Sequence, residues 1–307
     1  MHSGKVCAGK PGFSYLPQGY RYHHPQRTRR LRFQVAESAK QKTETPDSGL
    51  SLEVVDLHKA FGEQKVLSGV NLQVETGKVT VIIGGSGSGK SVLVKHLVGL
   101  LHPDRGEVRL HGKDLFAMKP DELLVARRQF GMLFQAGALF DSMSVYDNVA
   151  FPLREHKKMT HAEERDLVLA RLGELNLHDV EHKFPAELSG GMKKRVALAR
   201  ATILDPEIII YDEPTTGLDP MMISQVDDMI AETQERHNVT SIVISHDMAS
   251  TFRIAHKIAM LYEGQIVETG TPEEFRKSSN EVVRKFIFVS GTGPLKAEPA
   301  DARGGAA

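Results

Sequence analysis

The stretch from residue 84 to residue 91 constrains the fold of this chain more than any other. It has the G-x-x-x-x-G-K-S spacing of a phosphate-binding loop, with the residues Gly84, Gly85, Ser86, Gly87, Ser88, Gly89, Lys90 and Ser91. A β-branched run before it predicts a buried strand, and apolar residues at helical spacing follow it. A glycine loop between a strand and a helix presents backbone N–H groups to a phosphate. We therefore predict a nucleoside triphosphate site, with Lys90 on the β- and γ-phosphates and the Ser91 hydroxyl on Mg²⁺.

An acidic strand end complements this loop. The apolar run 208–211 predicts a buried strand, and the carboxylates Asp212 and Glu213 follow it. We expect Asp212 to hold the Mg²⁺ shell and Glu213 to polarise the attacking water as a general base. Taken alone, these two carboxylates could equally be solvated turn residues. They indicate a catalytic role only in combination with the phosphate loop. Further predicted strands at 241–245 and 258–261, separated by helices, indicate an α/β fold with a parallel sheet.

A second glycine segment precedes a predicted helix at about 191–203. Its residues Ser189, Gly190 and Gly191 would present backbone N–H groups at a helix N-terminus, which makes a second phosphate site in the same chain. We expect the Lys193-Lys194-Arg195 face of this helix to be solvated.

At this point the chain resembles the ATP-binding-cassette (ABC) ATPases, over about residues 50–290, because the motifs occur in that family's order. The resemblance implies that Ser189, Gly190 and Gly191 form the cassette signature. It implies that Gln135 senses Mg²⁺ and faces a membrane partner, and that Asp219 belongs to the D-loop. His246 would contact the γ-phosphate, and Phe61 would lie under the adenine ring.

The resemblance also implies a fold and an assembly. The fold is an α/β P-loop NTPase cassette with a mostly parallel RecA-like core, an antiparallel β subdomain and a helical subdomain at about 130–195. ATP and Mg²⁺ are the implied ligands, with Ser91, Gln135 and Asp212 around the metal. The chain has one copy of each motif, so a homodimer would hold each ATP between Lys90 of one chain and Ser189 of the other. A separate integral membrane permease would be the other partner.

The segment 130–156 indicates a branch of the family. Its sequence, FGMLFQAGALFDSMSVYDNVAFPLREH, is closely similar to the ATPases of Mce-type lipid transporters, which include the bacterial Mla-type phospholipid systems. This resemblance implies phospholipid transport between membranes, powered from the cytoplasmic face of the inner membrane. An Mce-domain substrate-binding protein and a small accessory protein would be further partners, and the partners would handle the lipid. Other small-molecule importers share much of this loop, so they are the alternative.

Two other function classes fit less well. Repair and chromosome cassettes insert long coiled coils between the two glycine motifs, and translation factors usually carry two cassettes; neither feature is in this sequence. A phosphate-loop kinase or GTPase would lack both the signature and His246.

Composition divides the chain into three parts. Residues 1–48 carry nine Lys and Arg against three acidic residues and lack periodicity, so we predict a disordered basic leader, with a targeting peptide as the alternative. We predict an ABC ATPase domain at 49–290 and a disordered tail at 291–307. After residue 48, acidic residues outnumber Lys and Arg, which argues against nucleic acid as a partner. The single Cys7 fits a reducing compartment.

Coupling to a permease needs an exposed apolar surface. Large apolar residues cluster after Gln135, and an apolar patch of this kind on a soluble domain usually marks a binding site. Phe140 and Tyr146 are our candidates, because aromatic residues often anchor interfaces. Packing of both side chains in the core is the alternative.

Overall fold

The computed structural model describes residues 49–135 and 137–290. The predictions of a leader at 1–48 and a tail at 291–307 lie outside the described residues. Nine α-helices are described within these ranges: α1 Lys90–Leu97, α2 Pro120–Arg127, α3 Val145–His156, α4 His161–Glu174, α5 Gly190–Thr202, α6 Pro220–His237, α7 Met248–Ile254, α8 Pro272–Arg276 and α9 Glu281–Val289. A 3₁₀ turn spans Pro185–Glu187. No helix in this described part is long and apolar enough to cross a membrane.

A six-stranded sheet forms the centre of the domain. Its strands are β3 Val79–Ile83, β6 Phe130–Leu133, β7 Ile208–Asp212, β8 Thr240–Ser245, β9 Lys257–Tyr262 and β10 Gln265–Gly270. The order is β10-β9-β3-β8-β7-β6, and every pair is parallel except β10 with β9. All five residues of β3 are buried, as expected for a β-branched strand covered on both faces. The predicted mostly parallel core is confirmed.

A second, antiparallel sheet covers one side of α1. It contains β1 Leu50–Phe61, β2 Gln64–Glu75, β4 Arg105–Leu110 and β5 Lys113–Asp114, in the order β2-β1-β4-β5. Its apolar face packs with α1 and with one face of the central sheet in one hydrophobic cluster. The phosphate-loop helix is therefore buried between two sheets, which fixes its N-terminus.

Helices α3, α4 and α5 enclose a separate cluster that includes Val149, Leu172 and Val196. Thr160 caps α4 with a capping box that it shares with Glu163, which explains where this helix begins. We expected the helical part to run from about 130 to 195. The structure differs at its start, because residues 130–133 form strand β6 beside β7 in the central sheet.

Candidate nucleotide site

The phosphate loop joins β3 to α1 and is shaped by two close approaches. A Cβ atom on Gly84 would lie 2.3 Å from the carbonyl oxygen of Leu261, so only glycine fits there. Gly89 caps α1 with φ +103°, a conformation that residues with a side chain rarely adopt. The loop thus turns tightly at the N-terminus of a helix, where backbone N–H groups and the helix dipole favour an anion.

Lys90 is held against this loop. Its side chain is 8% exposed, and Nζ donates to the carbonyl oxygens of Gly84, at 2.8 Å, and Gly85, at 3.0 Å. Burial lowers the pKa of Lys90, while the carboxylates of Glu213 and Asp212 act in the opposite direction. A phosphate would supply the negative charge that this buried ammonium lacks.

The loop opens into a cavity of about 600 Å³ that Glu213 and His246 also line. The register of the parallel strands explains this meeting. Ile83 pairs with Ser245, and Asp212 pairs with Ile244, so the loop, His246 and Glu213 all follow strand ends at one edge of the sheet. The structure therefore brings together three predicted site elements, the outermost of which, the loop and His246, are more than 150 positions apart in the sequence.

Glu213 has a constrained geometry. Its Oε2 lies 3.0 Å from Nδ1 of His246 and accepts a 2.7 Å hydrogen bond from Oγ1 of Thr216. Its backbone N–H donates to the carbonyl oxygen of Ile244, and its φ is +49°. A non-glycine residue in the left-handed region costs on the order of 1 kcal/mol, and such strain concentrates at functional sites. This carboxylate is pre-oriented at the cavity rather than free to rotate.

The residues present fit a bound Mg²⁺. Asp212 is half-buried at the end of β7, and its pKa is raised, first by burial and then by repulsion from Glu213, with Lys90 opposing both. A nearby cation would stabilise this carboxylate as an anion. Ser91 is exposed in the first turn of α1, and Gln135 is exposed just after β6, next to β7. Hydroxyl, carboxylate and amide oxygens are ligands that Mg²⁺ accepts.

The remaining predicted residues lie outside the cavity lining. Ser189 caps α5, with its Oγ accepting from Met192 N at 3.3 Å, and the following glycines begin that helix. Asp219 caps α6 in the same way. Phe61 is 49% exposed at the end of β1, with Lys59 Nζ 5.6 Å from its ring centroid. All of these side chains are accessible, so their assignments as nucleotide contacts stay predictions.

One expectation about the signature helix was wrong. Lys194 is 8% exposed instead of solvated, and its Nζ donates to the carbonyl oxygen of Pro214. Lys194 precedes the buried Leu198 by four residues, and residues at this spacing share one face of a helix. This spacing in the sequence already indicated that Lys194 would be on the buried face. Thr216, the partner of Glu213, was also missed, because no motif distinguishes a threonine in this loop.

A groove of about 510 Å³ lies beside the loop that follows β6. Phe140 lines it and is 41% exposed, so this residue does not belong to the core. Its ring contacts Phe151 edge-on at 5.2 Å, and the Arg200 guanidinium lies 5.5 Å from its centroid. The buried Asn148 exchanges hydrogen bonds with the backbone N–H and C=O of Phe140. These contacts fix the aromatic face of the groove.

Tyr146 does not share this groove, contrary to our expectation. Its hydroxyl donates to Glu164 at 2.9 Å, and the Arg154 guanidinium lies 5.7 Å from its ring. Burial and the neighbouring carboxylate of Glu164 raise the pKa of Tyr146 to about 12. The ring therefore belongs to a polar cluster between α3 and α4.

Comparison with known proteins agrees with this geometry. The family model for ABC transporters matches residues 67–216. The chain is 42% identical over 253 residues to the probable ribonucleotide transport ATP-binding protein mkl of Mycobacterium tuberculosis, covering 82% of this chain and 70% of that protein. It is 40% identical over 245 residues to the intermembrane phospholipid transport system ATP-binding protein MlaF of Haemophilus influenzae, covering 80% of this chain and 93% of that protein.

Two solved structures share the fold. CbiO1 of Clostridium perfringens, part of the ABC transporter complex cbiONQ, aligns with a TM-score of 0.70 at 31% identity, over 78% of this chain and 96% of that one. The dimeric ABC cassette MJ0796 aligns with a TM-score of 0.65 at 30% identity, over 72% of this chain and 98% of that one. The chain belongs to the ABC transporter family. Within that family it is an ATP-binding and ATP-hydrolysing subunit.

Proposed function

We propose that this subunit powers a separate integral membrane permease that moves phospholipid between membranes. The observation that carries the proposal is the 40% identity to MlaF, a phospholipid transport ATPase, over 93% of that protein. The resemblance of segment 130–156 to Mce-type systems also supports it. An Mce-domain substrate-binding protein and a small accessory protein complete the proposed assembly at the cytoplasmic face of the inner membrane. The name of mkl supplies the competing cargo, a ribonucleotide.

The chain's own residues suit ATP hydrolysis in defined roles. Lys90 and the loop N–H groups would bind the β- and γ-phosphates, and Ser91, Asp212 and Gln135 would hold Mg²⁺. Bound Mg²⁺ would neutralise charge on the phosphate oxygens. Glu213 would orient the attacking water and accept its proton.

His246 has two roles in this proposal. Its Nδ1 lies 3.0 Å from Oε2 of Glu213, and its Nε2 would contact a γ-phosphate oxygen. Phe61 is accessible for stacking on the adenine. Both contacts would fix the nucleotide relative to the general base, which is the positional part of the catalysis.

A homodimer explains why the signature lies outside the cavity. Ser189, Gly190 and Gly191 are at an exposed helix N-terminus, and Asp219 begins a second helix close by. In a two-fold dimer each signature would reach the ATP on the partner's Lys90. The dimeric cassette MJ0796, with a similar fold, supports this arrangement.

The groove around Phe140 would receive a cytoplasmic helix of the permease. Exposed aromatic rings at a concave surface typically anchor interfaces. The groove is lined by Phe134 and Ala138, which lie on either side of Gln135 in the chain, so a force on it would reach a residue at the proposed Mg²⁺ site.

Affinity purification of the full chain from detergent-solubilised membranes tests the proposal. Mass spectrometry should find one polytopic membrane protein and phospholipid at levels well above those with an unrelated tagged protein. Reconstitution of this complex in liposomes should give ATP-dependent phospholipid movement. Ribonucleotide movement instead would favour the competing cargo. Recovery without any membrane protein would refute a transport role.

A further inference from the structure

Lys194 is an unusual residue beside the proposed active site. Of the lysines in the described residues, only Lys90 and Lys194 are buried. Burial lowers the pKa of Lys194, and within this part of the chain no carboxylate pairs with its ammonium. A buried charge without a counter-ion is costly, so its retention calls for a reason.

The acceptor that Lys194 has among the described residues lies next to Glu213. The ammonium donates to the carbonyl oxygen of Pro214, the residue that follows Glu213. On the other side, the backbone N–H of Glu213 is bonded to Ile244. A left-handed φ such as that of Glu213 persists only where the surroundings hold it. The two contacts fix the backbone on both sides of this residue.

Lys194 also belongs to the helix that begins at the signature. It lies in α5, five residues after Ser189. The start of this helix packs tightly on α6, because a Cβ atom on Gly191 would lie 2.8 Å from Cε of Met222. Ser189 caps the continuous helix that contains Lys194, so a displacement of the signature would also change the position of the Lys194 ammonium relative to Pro214.

We propose that Lys194 is a positioning residue that holds the Glu213 backbone in its hydrolysis-competent conformation and links it to the signature of the same chain. The proposal rests on the proposed role of Glu213 as general base. In the dimer, a signature that contacts one ATP would thereby orient the general base of the other site.

Three variants test the proposal in the full chain with its permease. Lys194→Met keeps the length of the side chain but removes the donor, and kcat should fall about tenfold, part of the 10²–10⁴-fold typical of a general base. KM for ATP and the affinity for a fluorescent ATP analogue should stay within about twofold, because binding depends on other residues. Lys194→Gln keeps a donor and should recover much of kcat. Lys193→Met, at the half-buried neighbour, is the matched control and should resemble wild type.

A double-mutant cycle distinguishes positioning from a general loss of structure. Added to Glu213→Gln, Lys194→Met should lower kcat little further, since the residue acts through Glu213. The proposal would be overturned if the double variant lost a further tenfold in kcat relative to Glu213→Gln. It would also be overturned if Lys194→Met alone had the wild-type kcat, or if its loss were confined to KM. If Lys194→Met does not fold, Lys194→Ala takes its place in the same cycle. A wild-type turnover of Glu213→Gln alone would instead reject the general base, which is a separate failure.

Discussion

Gly84→Ala should destabilise the domain through one backbone contact. The added Cβ would lie 2.3 Å from the carbonyl oxygen of Leu261 and 2.8 Å from Ser88 Oγ. The serine side chain can rotate away, but the carbonyl oxygen belongs to β9, which is paired with β3. Relief therefore requires the loop to move by about 1 Å. Overpacking of a well-packed site typically costs about 1–3 kcal/mol, and a rigid backbone partner favours the upper end.

About 3 kcal/mol corresponds to a drop in Tm of roughly 6–12 °C for a domain of this size. The same displacement should weaken ATP binding, because the carbonyl oxygen of Gly84 accepts from Lys90 at 2.8 Å. Differential scanning calorimetry without nucleotide measures the drop in Tm, and titration with a fluorescent ATP analogue measures the loss of ATP affinity.

Gly85→Ala is the matched control for stability. A Cβ there would meet nothing within 4 Å, and its φ is not in the left-handed region. Its Tm should stay within about 2 °C of wild type, since exposed substitutions without strain change stability little. Equal shifts of Tm in the two variants would show that the clash with Leu261 is not the cause.

Three further predictions concern the proposed roles. Glu213→Gln should bind ATP yet lower turnover by roughly 10²-fold or more, and near wild-type turnover of the purified complex would exclude it as general base. Phe140→Asp should bind nucleotide normally but lose the permease on copurification, whereas Phe288→Asp, at a phenylalanine that is 59% exposed on α9, should retain it; equal recovery would move the docking site elsewhere. A chain that starts at Gly49 should hydrolyse ATP with its permease at the wild-type rate, and an unfolded product would assign a structural role to the leader.

Local motifs made the centre of the site predictable. The phosphate loop, the strand before it and the helix after it are adjacent in sequence, so their geometry follows from short-range rules. The acidic strand end was predictable for the same reason. Strand β6 was not, because its four residues Phe130–Leu133 are a strand only through their pairing with β7. Such a short apolar run carries no period that separates strand from helix.

The misplaced side chains show what tertiary packing adds. Tyr146 and Phe140 are both aromatic residues in one apolar segment, yet one hydroxyl meets Glu164 while the other ring lines the groove. Residues 141–144 form a loop that ends at the N-terminus of α3, and this change of chain direction between Phe140 and Tyr146 separates the two rings. Lys194 was expected in solvent as part of a basic run, but the fold places an acceptor, Pro214, within its reach.

The meeting of Glu213 and His246 depends on strand register rather than on either motif. Both residues follow strands that pair in parallel, with Asp212 opposite Ile244, so each side chain stands just beyond its strand end. Neighbouring positions along a strand differ by roughly 3.3 Å and point to opposite faces. A shift of β8 by one residue would therefore move the imidazole by roughly 3.3 Å along the strand and turn it to the other face, and the 3.0 Å contact with the carboxylate would be lost. The continuous apolar core of the parallel strands fixes this register, and in doing so it fixes the distance on which the proposed chemistry depends.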